Sequence, residues 1–180
     1  NQICATTDEQ MLQYFTDLPQ ETGASSLVII QNIEGLEVGD EVGLFDNGGL
    51  LNYNNCDSDY GELLVGAGIY DGSQLNMVGV GSVDLCSFGG VQLSGYVMGN
   101  PIKFKVWKSS DNMVYDATAT YSAGNGVWGD IITSVSMLEP VFSITQDISL
   151  NALQVNLYST NVVSDDMSSE GIFNGVSLLI

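Results

Sequence analysis

The densest concentration of cation-seeking side chains in this 180-residue chain lies between Asp46 and Glu62, in the run DNGGLLNYNNCDSDYGE. Hard oxygen donors on a flexible loop are what Ca²⁺ takes, with about six to eight oxygens at roughly 2.3–2.6 Å. Asp46, Asn52, Asn55, Asp57, Asp59 and Glu62 are therefore the expected ligands, and Ca²⁺ is the expected cofactor. Asp57-Ser58-Asp59-Tyr60-Gly61-Glu62 reads as the front half of a calcium loop, yet it has neither the flanking helices of an EF-hand nor a Glu at the twelfth position. The competing reading is a set of Asx turns, because Asn and Asp hydrogen-bond to their own backbone.

Other chemistry is harder to find. Asp40, Glu41, Asp57, Asp59 and Glu62 supply carboxylate pairs of the kind glycoside hydrolysis uses, but an acidic chain contains such pairs by chance. With no histidine and no arginine, the commonest general base, the commonest zinc ligand and the bidentate anion clamp are all missing. No serine has an evident activating base, and no glycine-rich phosphate loop stands between a strand and a helix. The expectation is a non-enzyme. Twenty-two acidic residues against three lysines give a net charge of −19, which repels nucleic acid and anionic membrane surfaces. No run approaches the roughly 18 apolar residues of a membrane helix. The chain opens at Asn1 without Met, as a processed protein or a fragment does.

The elements that must position these residues read as strands. Apolar residues alternate with polar ones or form short runs, punctuated by Gly, Asn, Asp and Ser every 8 to 12 residues or so, the spacing of sandwiches and barrels. Strands are expected near Leu27–Ile33, Asp40–Asp46, Leu63–Tyr70, Leu75–Gly81, Pro101–Lys108, Met113–Tyr121, Ile131–Leu138, Phe142–Ile148 and Leu153–Val163. One helix is expected at Thr7–Phe15, with Thr7 and Gln10 as a capping box, and a short turn at Ser168–Phe173. Alternation also assigns faces. Tyr115, Ala117, Ala119 and Tyr121 share one side of their strand. Ile102, Phe104 and Val106 share one side of theirs, which puts Lys103, Lys105 and Trp107 on the other. A Trp beside lysines is either a partly covered indole with solvated neighbours or a sugar-stacking face.

Several blocks carry a resemblance. GDEVGLFD from Gly39, VGAGIYDG from Val65, GGVQLSGYVMGNPIKFKVW from Gly89, and YDATATY with GNGVWGD from Tyr115 to Asp130 follow one another in an order that resembles a β-sandwich module of large secreted and cell-surface proteins of Bacteroidetes-type bacteria, often next to a type IX secretion tail. The resemblance covers about Gly23 to Leu138. It implies an all-β, antiparallel β-sandwich, Ig-like or jelly-roll-like, that is extracellular and non-catalytic. A second resemblance begins after Pro140, to a segment that often follows this module, with Gln154-Val155-Asn156 where that segment usually has Gly-Trp-Asn. The expected domains are a lead-in at 1–22, the sandwich at 23–140 and a C-terminal strand extension at 141–180. Of the three cysteines, Cys56 and Cys86 fall in loop-like stretches inside the resembling module, so the resemblance favours their pairing as a disulfide. Cys4 is left buried and reduced or pairing between chains, and three buried thiols remain the alternative.

The last 40 residues or so are too few to bury a core of their own, and they contain the alternating Leu153, Val155 and Leu157. Such a segment needs another surface, and a strand given to a neighbour's sheet, repeated head to tail, builds a filament. The sequence therefore reads as a calcium-assisted structural subunit or module of an extracellular fibre, adhesin or sheath that self-associates into a homopolymer. The alternative is a carbohydrate-binding accessory module of a larger secreted enzyme, gripping polysaccharide through Trp107, Trp128 and Tyr70.

Overall fold

Residues 11–141 are described by the computed structural model of the protein. Seven of the expected strands form there, at nearly the expected places: β1 (Ser25–Ile30), β2 (Glu41–Leu50), β3 (Tyr60–Ile69), β4 (Leu75–Val80), β7 (Lys103–Lys108), β8 (Met113–Ala123) and β9 (Ile132–Pro140). Two two-residue strands, β5 (Val83–Asp84) and β6 (Gln92–Leu93), were not expected; they flank a single 3-10 turn at Cys86–Phe88. The expected strands at 142–148 and 153–163, the turn at 168–173, Cys4 and the first residues of the expected helix lie outside the described residues.

The seven long strands make one sheet in the order β3-β2-β7-β8-β9-β1-β4, and β5 with β6 makes a separate ribbon. The all-β expectation holds, whereas the antiparallel sandwich does not. Neighbours follow one another in a continuous hydrogen-bonded order instead of splitting into two facing sheets, and the sheet curls until it is nearly closed into a barrel. The sheet is also mixed, because β1 lies parallel to β9 while pairing antiparallel with β4. Period-2 alternation tells which face of a strand is buried, but not which strand lies beside it.

Inside the curl sit Val28, Ile30, Val42, Leu44, Val65, Met77, Phe104, Val106, Trp128, Val135 and Leu138, all buried. The inward faces of β7 and β8 are those the alternation assigned: Ile102, Phe104 and Val106 are in this core, and Ala117, Ala119 and Tyr121 pack against it. At the bulge between β2 and β3, where Leu44 pairs with Gly66 and Phe45 with Leu64, Val65 is the extra residue and turns fully inward. The curl is tight enough to require glycine: a Cβ on Gly66 would lie 2.4 Å from the carbonyl oxygen of Val78 in β4.

Residues 11–15 are not helical. Instead of bonding to their own chain four residues back, the amides of Gln13, Tyr14 and Phe15 all donate to the Glu41 carboxylate on β2. The lead-in is thereby laid across the outside of the sheet, where Phe15 packs with Phe45 and Trp107, and Leu64, Ala67 and Val114 fill the rim.

Candidate functional site

The six expected calcium ligands do not make one shell. Asp46 is fully buried in β2, and its carboxylate accepts from Gly48 N at 2.8 Å, Val97 N at 2.8 Å and Asn100 Nδ2 at 2.9 Å, so its lone pairs tie β2 to the turn at Val97–Asn100. Glu62 lies on β3 and takes Lys105 Nζ at 2.7 Å. Asn52, Asn55, Asp57 and Asp59 stay together in the loop before β3, but they bond mainly to one another: Asn52 Nδ2 donates to Asn55 Oδ1 at 2.6 Å, Asn55 donates to Asp57, and Asn52 Oδ1 accepts from Asp59 N at 3.1 Å. Among the described residues no group of three or more His, Cys, Asp or Glu is placed to hold a metal. In this structure Asn52, Asn55 and Asp57 are tied to one another side chain to side chain, and among the six only Asp46 makes the bond of an Asx turn, to the amide two residues on.

Against that loop stands a residue that no motif or spacing singles out. Gln92 of β6 is buried and uses its whole amide: Oε1 accepts from Asn52 Nδ2 at 2.7 Å and Ser58 N at 3.0 Å, while Nε2 donates to Asp84 Oδ2 at 2.8 Å and Ser58 Oγ at 2.9 Å. Its bond, together with the Cys86 amide, holds the Asp84 carboxyl below the usual carboxylate range. Cys56 and Cys86 are joined in a disulfide beside this network, stapling the 52–59 loop to the ribbon of β5 and β6. A buried polar network is stable only when every member is satisfied, and this one is built to that standard around Gln92. Spacing in sequence could not reveal it, since Asn52 and Gln92 are 40 residues apart.

The aromatic residues expected to face a ligand are placed differently from one another. Trp107 is on the outer face as expected, but the lead-in covers it: Tyr14 stacks on its ring at 5.7 Å between centroids, and the indole N–H donates to Asn112 Oδ1 at 3.0 Å. Its neighbour Lys105 lies over Phe45, 4.7 Å from the ring centre, and not over the indole. Trp128 is in the interior, 1% exposed and stacked on Tyr96 at 4.5 Å. Tyr70 is half-buried at the end of β3, its backbone pairing with Gly39 and Asp40. The three rings do not form an open stacking face.

What remains open is the seam of the sheet. β3 and β4 end the strand order, and no ladder of hydrogen bonds joins them although they touch at Gly66 and Val78. Residues 18–25, β3 and β4 enclose a cleft of 490 Å³ whose lining includes Leu18, Val65, Gly66, Asn76, Met77 and Val78. The lead-in is fixed beside it by Thr22, whose hydroxyl donates to the Gly81 carbonyl, and by Gln20, whose Oε1 accepts from Tyr53 at 2.6 Å.

No protein-family model matches the chain, and no curated protein and no solved structure matches it. The resemblance to the secreted sandwich module rests on the sequence blocks alone. No helix among the described residues is long and apolar enough to cross a membrane.

Proposed function

We propose that the chain is a non-catalytic structural subunit or module of an extracellular fibre, adhesin or sheath, assembling by strand exchange into a homopolymer. The observation that carries this reading is the end of the sheet order: two strands, β3 and β4, each with a neighbour on one side only, in a chain that continues from residue 142 to 180 with an alternating apolar run. Unpaired strand edges are templates for another chain, and a strand supplied by a neighbour satisfies edge and strand together. The Cys56–Cys86 disulfide fits an oxidising compartment outside the cytosol.

The buried acids support a structural role over a catalytic one. Asp40, Glu41 and Asp46 are each buried and each bonded to backbone amides, Asp40 taking Glu37 N and Ser109 N at 2.9 Å. Carboxylates so engaged fasten turns to strands and leave little capacity for a reacting group. Calcium enters this reading as a counter-ion to a net charge of −19, easing repulsion between copies.

The test is truncation after Val141. Residues 1–141 should remain folded, since the core lies within the described residues, and should no longer polymerise when examined by negative stain and light scattering. Polymers identical to those of the full chain would place assembly on another surface.

A further inference from the structure

We infer that the seam between β3 and β4 is the acceptor, and that Leu153–Leu157 of a second copy is the strand it takes; this deepens the assembly reading above and rests on it. Three observations converge on the seam.

The first is hydrogen-bond capacity. In an antiparallel pair, alternate residues turn their N–H and C=O away from the partner. β3 pairs only with β2 and β4 only with β1, so both strands turn such groups toward the seam, where they touch without a backbone ladder. Nowhere else in the large sheet do two unpaired edges face each other.

The second is shape and polarity. Val65 and Met77, both almost wholly buried, line the cleft, while Asn76, Glu21, Thr22 and Ser25 give it a polar rim. An apolar floor beside a strand edge suits an extended segment that sends alternate apolar side chains downward and polar ones outward. Leu153-Gln154-Val155-Asn156-Leu157 has that alternation and carries no charge, so it adds nothing to the repulsion between two strongly acidic copies.

The third is direction. Following the pairings round the sheet, β3 and β4 run opposite ways. A strand seated between them is antiparallel to one and parallel to the other. The sheet already contains both kinds of pair, so an eighth strand closes the curl without a geometry foreign to it. The cost is parting β3 from β4, which separates Gly66 from Val78 and Gly68 from Leu75 and Met77; the incoming Leu153, Val155 and Leu157 replace that apolar contact.

The test uses the full-length chain with Cys4→Ser, its native disulfide left intact. One preparation carries Val78→Cys, at an exposed position of β4, and the other Asn156→Cys; they are mixed under mild oxidation during polymerisation and resolved without reductant, with linked peptides identified by mass. A seated strand holds the two thiols at roughly millimolar effective concentration, so a 78–156 heterodimer should form on the order of a hundredfold faster than with Thr118→Cys, on exposed β8, in place of Val78→Cys. A synthetic peptide of residues 150–160 should slow polymerisation of the unsubstituted chain, a readout independent of any substitution. Linkage as fast at 118 as at 78, or polymers without a 78–156 linkage, overturns the seam assignment while strand exchange stands. A chain carrying both cysteines that links within itself and stays monomeric overturns the exchange between copies. Failure of the full chain to polymerise at all removes the assembly reading.

Discussion

Replacing Glu41 by Gln tests the tie between the lead-in and the sheet. Glu41 is 1% exposed and accepts the amides of Gln13, Tyr14 and Phe15, with Phe15 N at 2.9 Å. Glutamine keeps the shape, removes the charge and turns an NH₂ toward donors, so at least one charge-assisted bond is lost, worth about 1.5–3 kcal/mol. Against this, burying Phe15 contributes about 1.5–3 kcal/mol and the stacking of Tyr14 on Trp107 about 0.5–1.5 kcal/mol, both of which the variant retains. The lead-in should therefore stay docked on average and open more often, by about ten- to hundredfold at 1.4 kcal/mol per decade. Hydrogen exchange should report this as a matching loss of protection at the Phe15 amide, with Val106 in the core unchanged. Acrylamide should quench Trp107 more readily while Trp128, beneath Tyr96, stays shielded. Wild-type exchange at Phe15, or an equal loss of protection at Phe15 and Val106, would refute the reasoning, the first by showing the bonds idle and the second by showing that lead-in and sheet open only together.

Gly66→Ala should destabilise by about 1–3 kcal/mol, because its Cβ would press on the Val78 carbonyl oxygen; an unchanged melting temperature would mean that β4 does not lie against β3. Serine at both Cys56 and Cys86 should cost about 3.5 kcal/mol in urea unfolding, as expected from chain entropy for a separation of 30 residues, and wild-type protein in reductant should match the variant. Calcium should raise the melting temperature only as far as magnesium does at equal ionic strength, by screening; a rise that saturates at low calcium and is specific to it would mean a bound ion in place of screening.

The strands were legible because the chain's alternation is clean: Phe104 and Val106 inward with Lys103 and Lys105 outward needs no partner to be read. Order round the sheet was not legible, since β1 beside β9 joins residues more than 100 positions apart and leaves no local mark. The same limit applied to the site. Asp46 and Asp57 stand close in sequence and share a residue type, but one is drawn into the sheet by Val97 and Asn100 while the other remains in the loop with Asn55. Trp107 was assigned its outer face with two readings of its exposure, partly covered or open to a sugar; what covers it, Tyr14, could not be named because it belongs to a segment expected to be helical.

The parallel pairing of β1 with β9 also fixes when the protein can finish folding. The first strand of the sheet sits between β4 and the last, so its second ladder forms only after residues 132–135 exist. A chain emerging from its N-terminus holds a half-satisfied β1 until nearly the whole sheet has been made, and contacts this distant in sequence form slowly. Hairpins such as β2 with β3 and β7 with β8 can form along the way, but the ladder that joins β1 to the rest of the sheet waits for the last strand.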